Sequence, residues 1–237
     1  MAALNEQSVA APAAAPFMQI TRAGAIVHLA KDELPSIRTT FAEQHWLRLP
    51  NFLDTRLLEL IEKKLHETEY CVVDRETGVE LRPRDCTAYL ATELLLNSPK
   101  LFRAIEQITG CARIACFSGR IYRRPASPTY FNRWHTDVTG EGRLIALSIN
   151  LNPEPYEGGA LQIRSAKTHK ILSEVYNRCY GDAIIFPVDE KFEHRVGAVE
   201  SGAAKTALAG WFRSQPDPNS LFGRGQSGHQ TTLSTMT

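Results

Sequence analysis

Hydrophobic and polar positions divide the chain into two stretches of different period. Before residue 110 the apolar positions recur at helical spacing. In DTRLLELIEKKLHET, Leu57, Leu58, Ile61 and Leu65 fall on one stripe and Asp54 stands where an N-cap belongs, which predicts a helix from residue 55. SPKLFRAIEQITG predicts another, with Ser98 as cap, Pro99 in the first turn, Leu101, Phe102, Ile105 and Ile108 on a stripe, and Gly110 as the stop. After Gly110 the period shortens to two. Segments 112–117, 119–124, 144–151, 160–164, 182–187, 194–199 and 205–212 predict short strands, separated by turn-forming clusters such as EGG at 157–159 and SGAA at 201–204. Helices followed by a run of strands predict a mainly β barrel or sandwich with supporting α-helices.

The two ends are of a different character. Residues 1–17 are rich in Ala and Pro without a basic n-region or long apolar run, which predicts a flexible arm rather than a signal peptide. From Pro216 onward Ser, Thr, Gly, Gln, Pro and Asn dominate, so 215–237 is expected to be a flexible tail. One domain over 18–214 follows, with helical support at 50–110 and a barrel core at 111–213.

Composition narrows the class. The 237 residues are 43% hydrophobic and 22% charged, as in an ordinary soluble globular protein, and no run is long enough to span a membrane. The net charge of +1 speaks against bulk electrostatic capture of nucleic acid or a membrane surface. Five cysteines without a CxxC pair fit reduced thiols, and a cytoplasmic location is expected.

The chemistry-bearing segment is FNRWHTD, in which His135 and Asp137 lie two residues apart. On an extended strand such residues face the same way, so imidazole and carboxylate can grip one ion. His194, opening a strand after the apolar run DAIIFP, is the best third ligand. Two histidines and a carboxylate on one face of an octahedron leave three positions open, the arrangement of non-haem Fe(II) oxygenases. His28, His45, His66, His169 and His229 have no carboxylate two residues on and are expected to be structural or solvated.

Across residues 118–213 the chain resembles the Fe(II)/2-oxoglutarate-dependent dioxygenases, in particular their prolyl-4-hydroxylase-like branch. The motifs come in order: IYRR, WHTD, LSINLNP, EGGALQI, GDAIIFP, FEHRV and KTALAGWFR. The stretch FAEQHWLRLPNFLDTRLLELIEKKL (41–65) is similar to the family's opening segment and support helix. The resemblance implies a double-stranded β-helix, the cupin-like jelly roll, with Fe(II), 2-oxoglutarate and O2 as cofactor and co-substrates. It matches His135, Asp137 and His194 to the metal ligands and Lys205 to the basic residue for the distal carboxylate of 2-oxoglutarate. Tyr122 and Asn150 match further co-substrate contacts. In KTALAGWF, Lys205, Ala207, Ala209 and Trp211 share one face, so small side chains leave room for a diacid and Trp211 walls it. The family's Arg-x-Ser is here Lys205-Thr206-Ala207, which removes the serine contact. Arg195, next to a ligand on a strand, is expected to face away from the metal. Because the HxD carboxylate is intact, halogenation is not expected.

The implied reaction couples decarboxylation of 2-oxoglutarate, to succinate and CO2, to hydroxylation of an unactivated C–H bond. Between Glu106 and Asp137 there is no acidic residue, while Arg113, Arg120, Arg123, Arg124 and Arg133 lie in that stretch. Arg120, Arg124 and Arg133 are therefore candidates to hold a substrate with an anionic handle. A small-molecule hydroxylase is the leading expectation, on an amino acid or a natural-product-like scaffold. Hydroxylation of a protein side chain, nucleic-acid demethylation and a non-catalytic jelly-roll binding module stand as alternatives, and a nucleic-acid partner is disfavoured by the charge.

Overall fold

The computed structural model describes residues 16–138 and 142–216. The expected arm and tail therefore fall almost entirely outside the described residues.

The helices form where capping and patterning ask for them. Helix α1 (Leu34–Gln44) precedes α2 (Thr55–His66), where Asp54 caps as expected: its carboxylate accepts the Leu57 N–H at 2.7 Å. Helix α3 (Thr87–Leu96) leads into α4 (Pro99–Thr109), which ends on Gly110 in the left-handed region (φ 68°). Ser98 sits at the N-cap of α4, but its side chain makes no capping bond.

A small hairpin, β1 (Met18–Thr21) and β2 (Gly24–Val27), opens the chain, and β3 (Leu47–Leu49) follows α1. The next two strands, β4 (Tyr70–Arg75) and β5 (Gly78–Pro83), correct the expectation of purely helical support over 50–110. They form a hairpin that extends the barrel sheet. Then come β6 (Cys116–Arg124), β7 (Arg143–Asn150), β8 (Tyr156–Gly158), β9 (Leu161–Ser165) and β10 (Ile171–Val175). The last four are β11 (Ala183–Pro187), β12 (Phe192–Val196), β13 (Val199–Gly202) and β14 (Lys205–Arg213). The seven-stranded sheet has the order β3-β11-β7-β14-β6-β5-β4, and β10-β9-β12 and β13-β8 form smaller sheets. Mixed strand order and antiparallel pairing give the jelly-roll architecture.

Alternation along each strand decides where the cavity lies. Ile145, Leu147 and Ile149 of β7 join Phe117, Ile121, Leu208 and Phe212 in the core that packs under the helices. The other face of β7 carries Ala146, Ser148 and Asn150. Ala146 packs with Ile184 and Phe186 against Leu161, Ile163 and Val175 of the smaller sheet. The expected in–out pattern of LIALSINL is realised at Ala146 and Ser148, which line the cavity between the two sheets, but not at Asn150.

The two strands expected at 112–117 and 119–124 are one continuous strand, β6, paired along its whole length with β14. Gly119 does not interrupt it. Instead it lets two strands approach closely, since a Cβ there would lie 2.3 Å from the Ala209 carbonyl oxygen. Gly119→Val is expected to lower the thermal midpoint by several degrees or more, read by circular dichroism.

Candidate metal centre and co-substrate cavity

His135 and His194 come together through their backbones. Each donates its N–H to the other's carbonyl, at 3.1 and 2.9 Å, in an isolated antiparallel bridge. His135 therefore lies in extended chain beside β12 rather than within a long strand. Asp137, two residues on, turns its carboxylate between the rings. Its oxygens stand 3.6 Å from His135 Nε2 and 3.1 Å from His194 Nε2. Adjacent ligands of one ion, with bonds of about 2.1 Å, stand about 3 Å apart. One ligand atom from each residue lies within 4.8 Å of the others, so the three can hold a single metal ion.

The surroundings prepare these ligands. His135 Nδ1 lies 2.7 Å from the Arg133 carbonyl, which only accepts, so Nδ1 carries the hydrogen and Nε2 is left with a lone pair for metal. Burial, and then the neighbouring His194, push His135 towards its neutral form. Asp137 is the opposite case. Burial opposes its charge, but His194, His135 and the Trp211 N–H together hold the carboxyl well below the usual carboxylate range. The Trp211 Nε1–H donates to Asp137 Oδ2 at 2.7 Å, and the Arg143 guanidinium stacks 3.8 Å from the centre of the indole. Phe186 packs edge-on against His194, centroids 4.8 Å apart.

The Trp211 indole thus orients the carboxylate of the candidate triad. Trp211→Phe keeps the ring and loses the donor. Fe(II) affinity is expected to fall roughly 10–100-fold, the usual effect of an outer hydrogen-bond partner, as read by metal titration.

The triad opens on a cavity of about 350 Å³ whose lining includes Arg120, Tyr122, Arg124, Asn177, Lys205 and Trp211. Lys205 and Arg124 are register partners across β14 and β6, and both are almost fully buried at 4% and 3% exposure. Lys205 Nζ donates to the Gly159 carbonyl at 2.6 Å, which leaves further donors on the ammonium. Arg124 reaches Glu80 only at 3.6 Å, and its buried Nε and Nη1 have no hydrogen-bond partner among the described residues. Unpartnered buried cationic donors cost several kcal/mol unless an anion meets them. Burial, and then Arg124, pull the Lys205 ammonium down to about 7. Tyr122, also buried, has its phenol pushed up, first by burial.

Other sequence-picked residues lie elsewhere. Asn150 is buried but does not line the cavity; its amide donates to the Cys179 carbonyl at 3.2 Å and ties the end of β7 to a loop. Arg133 is exposed, packs over Phe131 and is no part of the cavity lining. Arg195 faces away as expected, donating to Gln162 at 2.7 Å and stacking on Trp134. Residues not singled out also line the cavity, among them Arg75, Glu80, Arg143 and Asn177. Glu80 and Arg75 had a signal in YCVVDRETGVELRP, where period-two residues flank an ETG turn.

Residues 120–213 match the family model described as the 2OG-Fe(II) oxygenase superfamily. Through this segment the chain is similar to the 2OG-Fe(II) oxygenase superfamily. The chemistry of that family is 2-oxoglutarate-dependent dioxygenation with Fe(II) and O2, and the donor set of His135, Asp137 and His194 suits it. Solved structures share the fold. A Pseudomonas putida prolyl-4-hydroxylase is 19% identical, with a TM-score of 0.55 over 77% of this chain and 100% of its own. A Trichoplax adhaerens prolyl hydroxylase, in complex with a hypoxia inducible factor peptide fragment, is 14% identical, with a TM-score of 0.59 over 77% and 89%. The non-heme alpha ketoglutarate dependent epimerase SnoN from nogalamycin biosynthesis is 13% identical, with a TM-score of 0.57 over 78% and 84%. Among curated proteins nothing matches. No described helix is long and apolar enough to cross a membrane.

Proposed function

We propose that this oxygenase hydroxylates an unactivated C–H bond of a small-molecule substrate, consuming 2-oxoglutarate and O2 and releasing succinate and CO2. His135, Asp137 and His194 would hold Fe(II), and Lys205 with Arg124 would receive the distal carboxylate of 2-oxoglutarate. The observation that carries this reading is one cavity lined both by the metal-binding triad and by two buried cations, one with unpartnered donors.

When bound, Fe(II) and 2-oxoglutarate supply the oxidising chemistry, and the chain's residues position and protect it. Trp211 holds Asp137 in its ligating orientation, and the Arg133 carbonyl fixes the His135 tautomer. Lys205 and Arg124 orient the diacid from its far end. Ala207 replaces the family's serine there, and Arg124, reaching in from the neighbouring strand, supplies donors in its place. The apolar wall of Leu161, Val175, Ile184, Phe186 and Val196 keeps bulk water from the reacting centre.

Lys205 gives this reading a pH signature. Arg124, Tyr122 and Tyr156 face it, and none supplies a negative charge at neutral pH. With its ammonium near 7, Lys205 is charged below that pH and increasingly neutral above it. A dianion binds the charged form, so the KM for 2-oxoglutarate is expected to rise as pH climbs above about 7. Lys205→Arg, charged throughout, should flatten the dependence, and Lys205→Met should raise KM roughly 10–100-fold.

The cavity volume of about 350 Å³ favours a small substrate, being at the low end for ligand pockets of about 300–1,000 Å³. The Trichoplax neighbour's peptide complex favours a second reading, hydroxylation of a protein side chain. Succinate release over a panel of amino acids, small metabolites and peptides decides between them. Stimulation by small molecules is expected; stimulation by peptides alone would favour the second reading.

A further inference from the structure

The charges around the cavity do not balance. Five cations line it, Arg75, Arg120, Arg124, Arg143 and Lys205, against three carboxylates, Glu76, Glu80 and Asp137. Fe(II) and dianionic 2-oxoglutarate cancel one another, so filling the cavity with both leaves that surplus in place.

Glu80 is the hub of the positive cluster. Only 3% exposed, it accepts from Arg120 Nε at 2.7 Å and from Arg82 Nε and Nη2 at 2.8 and 2.7 Å, with Arg124 3.6 Å away. One carboxylate thus faces three guanidiniums. Arg120 binds Glu80 through Nε and Nη2, and its Nη1 makes no hydrogen bond among the described residues. Its guanidinium also lies 5.5 Å from the centre of Trp211, the residue that holds Asp137. Arg120 is therefore fixed beside the metal ligands with donor capacity to spare.

Arg75 completes the cluster from the hairpin tip, and the tip is firmly seated. Arg133 N–H and the Asn132 amide donate to the Thr77 carbonyl at 2.8 and 2.9 Å, and Val79 N–H donates to Phe131 at 3.2 Å. Gly78 permits this contact, because a Cβ there would fall 2.1 Å from the Phe131 carbonyl oxygen and its φ is +144°. The hairpin is thus docked on the segment leading directly to His135. Arg75 makes no hydrogen bond or ion pair among the described residues, although it lines the cavity.

We propose that the substrate carries an anionic group, a carboxylate or a phosphate, which Arg75 and Arg120 receive between the hairpin tip and the metal ligands. This rests on reading the same cavity as the oxygenase site, and it names the chemical class of the substrate. Paired guanidiniums suit a planar or tetrahedral oxyanion, which each can meet with two parallel N–H donors. Independent support comes from electrostatics: burial, then Arg82 and Arg120, pull the Arg75 guanidinium below its ordinary range. An anion between them would relieve that repulsion.

The test is calorimetric titration, under argon, of protein loaded with Fe(II) and saturating 2-oxoglutarate. Benzoate and phenyl phosphate serve as anionic probes, and benzamide as the uncharged match. At least one anion should bind saturably and benzamide should not, and the stronger anion distinguishes carboxylate from phosphate chemistry. Arg75→Glu should weaken the anion at least tenfold, Arg75→Lys less, with 2-oxoglutarate affinity and the circular dichroism spectrum unchanged. Benzamide binding as tightly as benzoate, anion affinity unaltered in Arg75→Glu, or no anion binding would overturn the proposal. Failure of 2-oxoglutarate to bind would instead strike the oxygenase reading, and the loss of anion affinity in Arg75→Glu relative to the parent still reports the anion site without it.

Discussion

Replacing His194 by alanine is expected to abolish 2-oxoglutarate turnover and to lower Fe(II) affinity by more than the roughly 100-fold that an outer-shell partner costs. The side chain is one of three converging donors, and its Nε2 lies 3.1 Å from the Asp137 carboxylate. Its removal leaves Asp137 and His135 to hold the ion, and it strips Asp137 of its strongest neighbour, the first favourable influence on that carboxylate's charge. The fold should survive, because the His135–His194 bridge is made by backbone atoms that alanine retains. Equilibrium dialysis against Fe(II), with circular dichroism as a control for folding, reads both halves. A folded His194→Ala protein that still binds Fe(II) as tightly as the parent would remove His194 from the centre.

The second large effect concerns stability and lies at Glu80. Burial disfavours its charge, but Arg120 and Arg82 overcome that penalty and hold the carboxyl down to about 2, from an ordinary value of 4.5. A depressed carboxylate stabilises the fold above its unfolded pKa, and that contribution is lost as pH falls through its folded value. Stability should therefore decline between about pH 4.5 and pH 2, by about 3 kcal/mol at 1.36 kcal/mol per pH unit. Glu80→Gln removes the charge at every pH and strands Arg120, Arg82 and Arg124 around a neutral amide. A loss of about 3–5 kcal/mol at pH 7 is expected in urea unfolding, the usual result of breaking a buried pair from one side. The variant should also lose the acid-dependent phase seen in the parent. An unchanged midpoint would show that the three guanidiniums do not depend on Glu80.

How far the sequence reached depended on whether a feature was local. Asp54, Gly110 and the alternation of β7 act through neighbours a few residues away, and the structure places them as the pattern implies. His135, Asp137 and His194 were legible because a motif series fixed their order, although 57 residues separate Asp137 from His194 in the chain. The β4–β5 hairpin lies outside the period-two run after Gly110, and β4 packs no fully buried side chain, so its period-two signal stands alone between two helices. Its tip meets Phe131 and Asn132, a contact that no local pattern encodes. Arg124 was picked as a substrate residue from charge alone. Only its pairing with Lys205 across β6 and β14 sets it beside that buried ammonium. Asn150 shows the converse: alternation aims it at the cavity, but its amide is committed to the Cys179 loop, a contact that no local pattern encodes.

The central claim is that His135, Asp137 and His194 hold Fe(II) while Lys205 and Arg124 seat 2-oxoglutarate in the same cavity. Anaerobic titration of the protein with Fe(II) and 2-oxoglutarate tests it most directly. A weak visible charge-transfer band should grow to saturation at one equivalent of Fe(II), require 2-oxoglutarate, and shift to higher 2-oxoglutarate concentration in Lys205→Met. No band, or a band of equal strength in His194→Ala, would contradict the account.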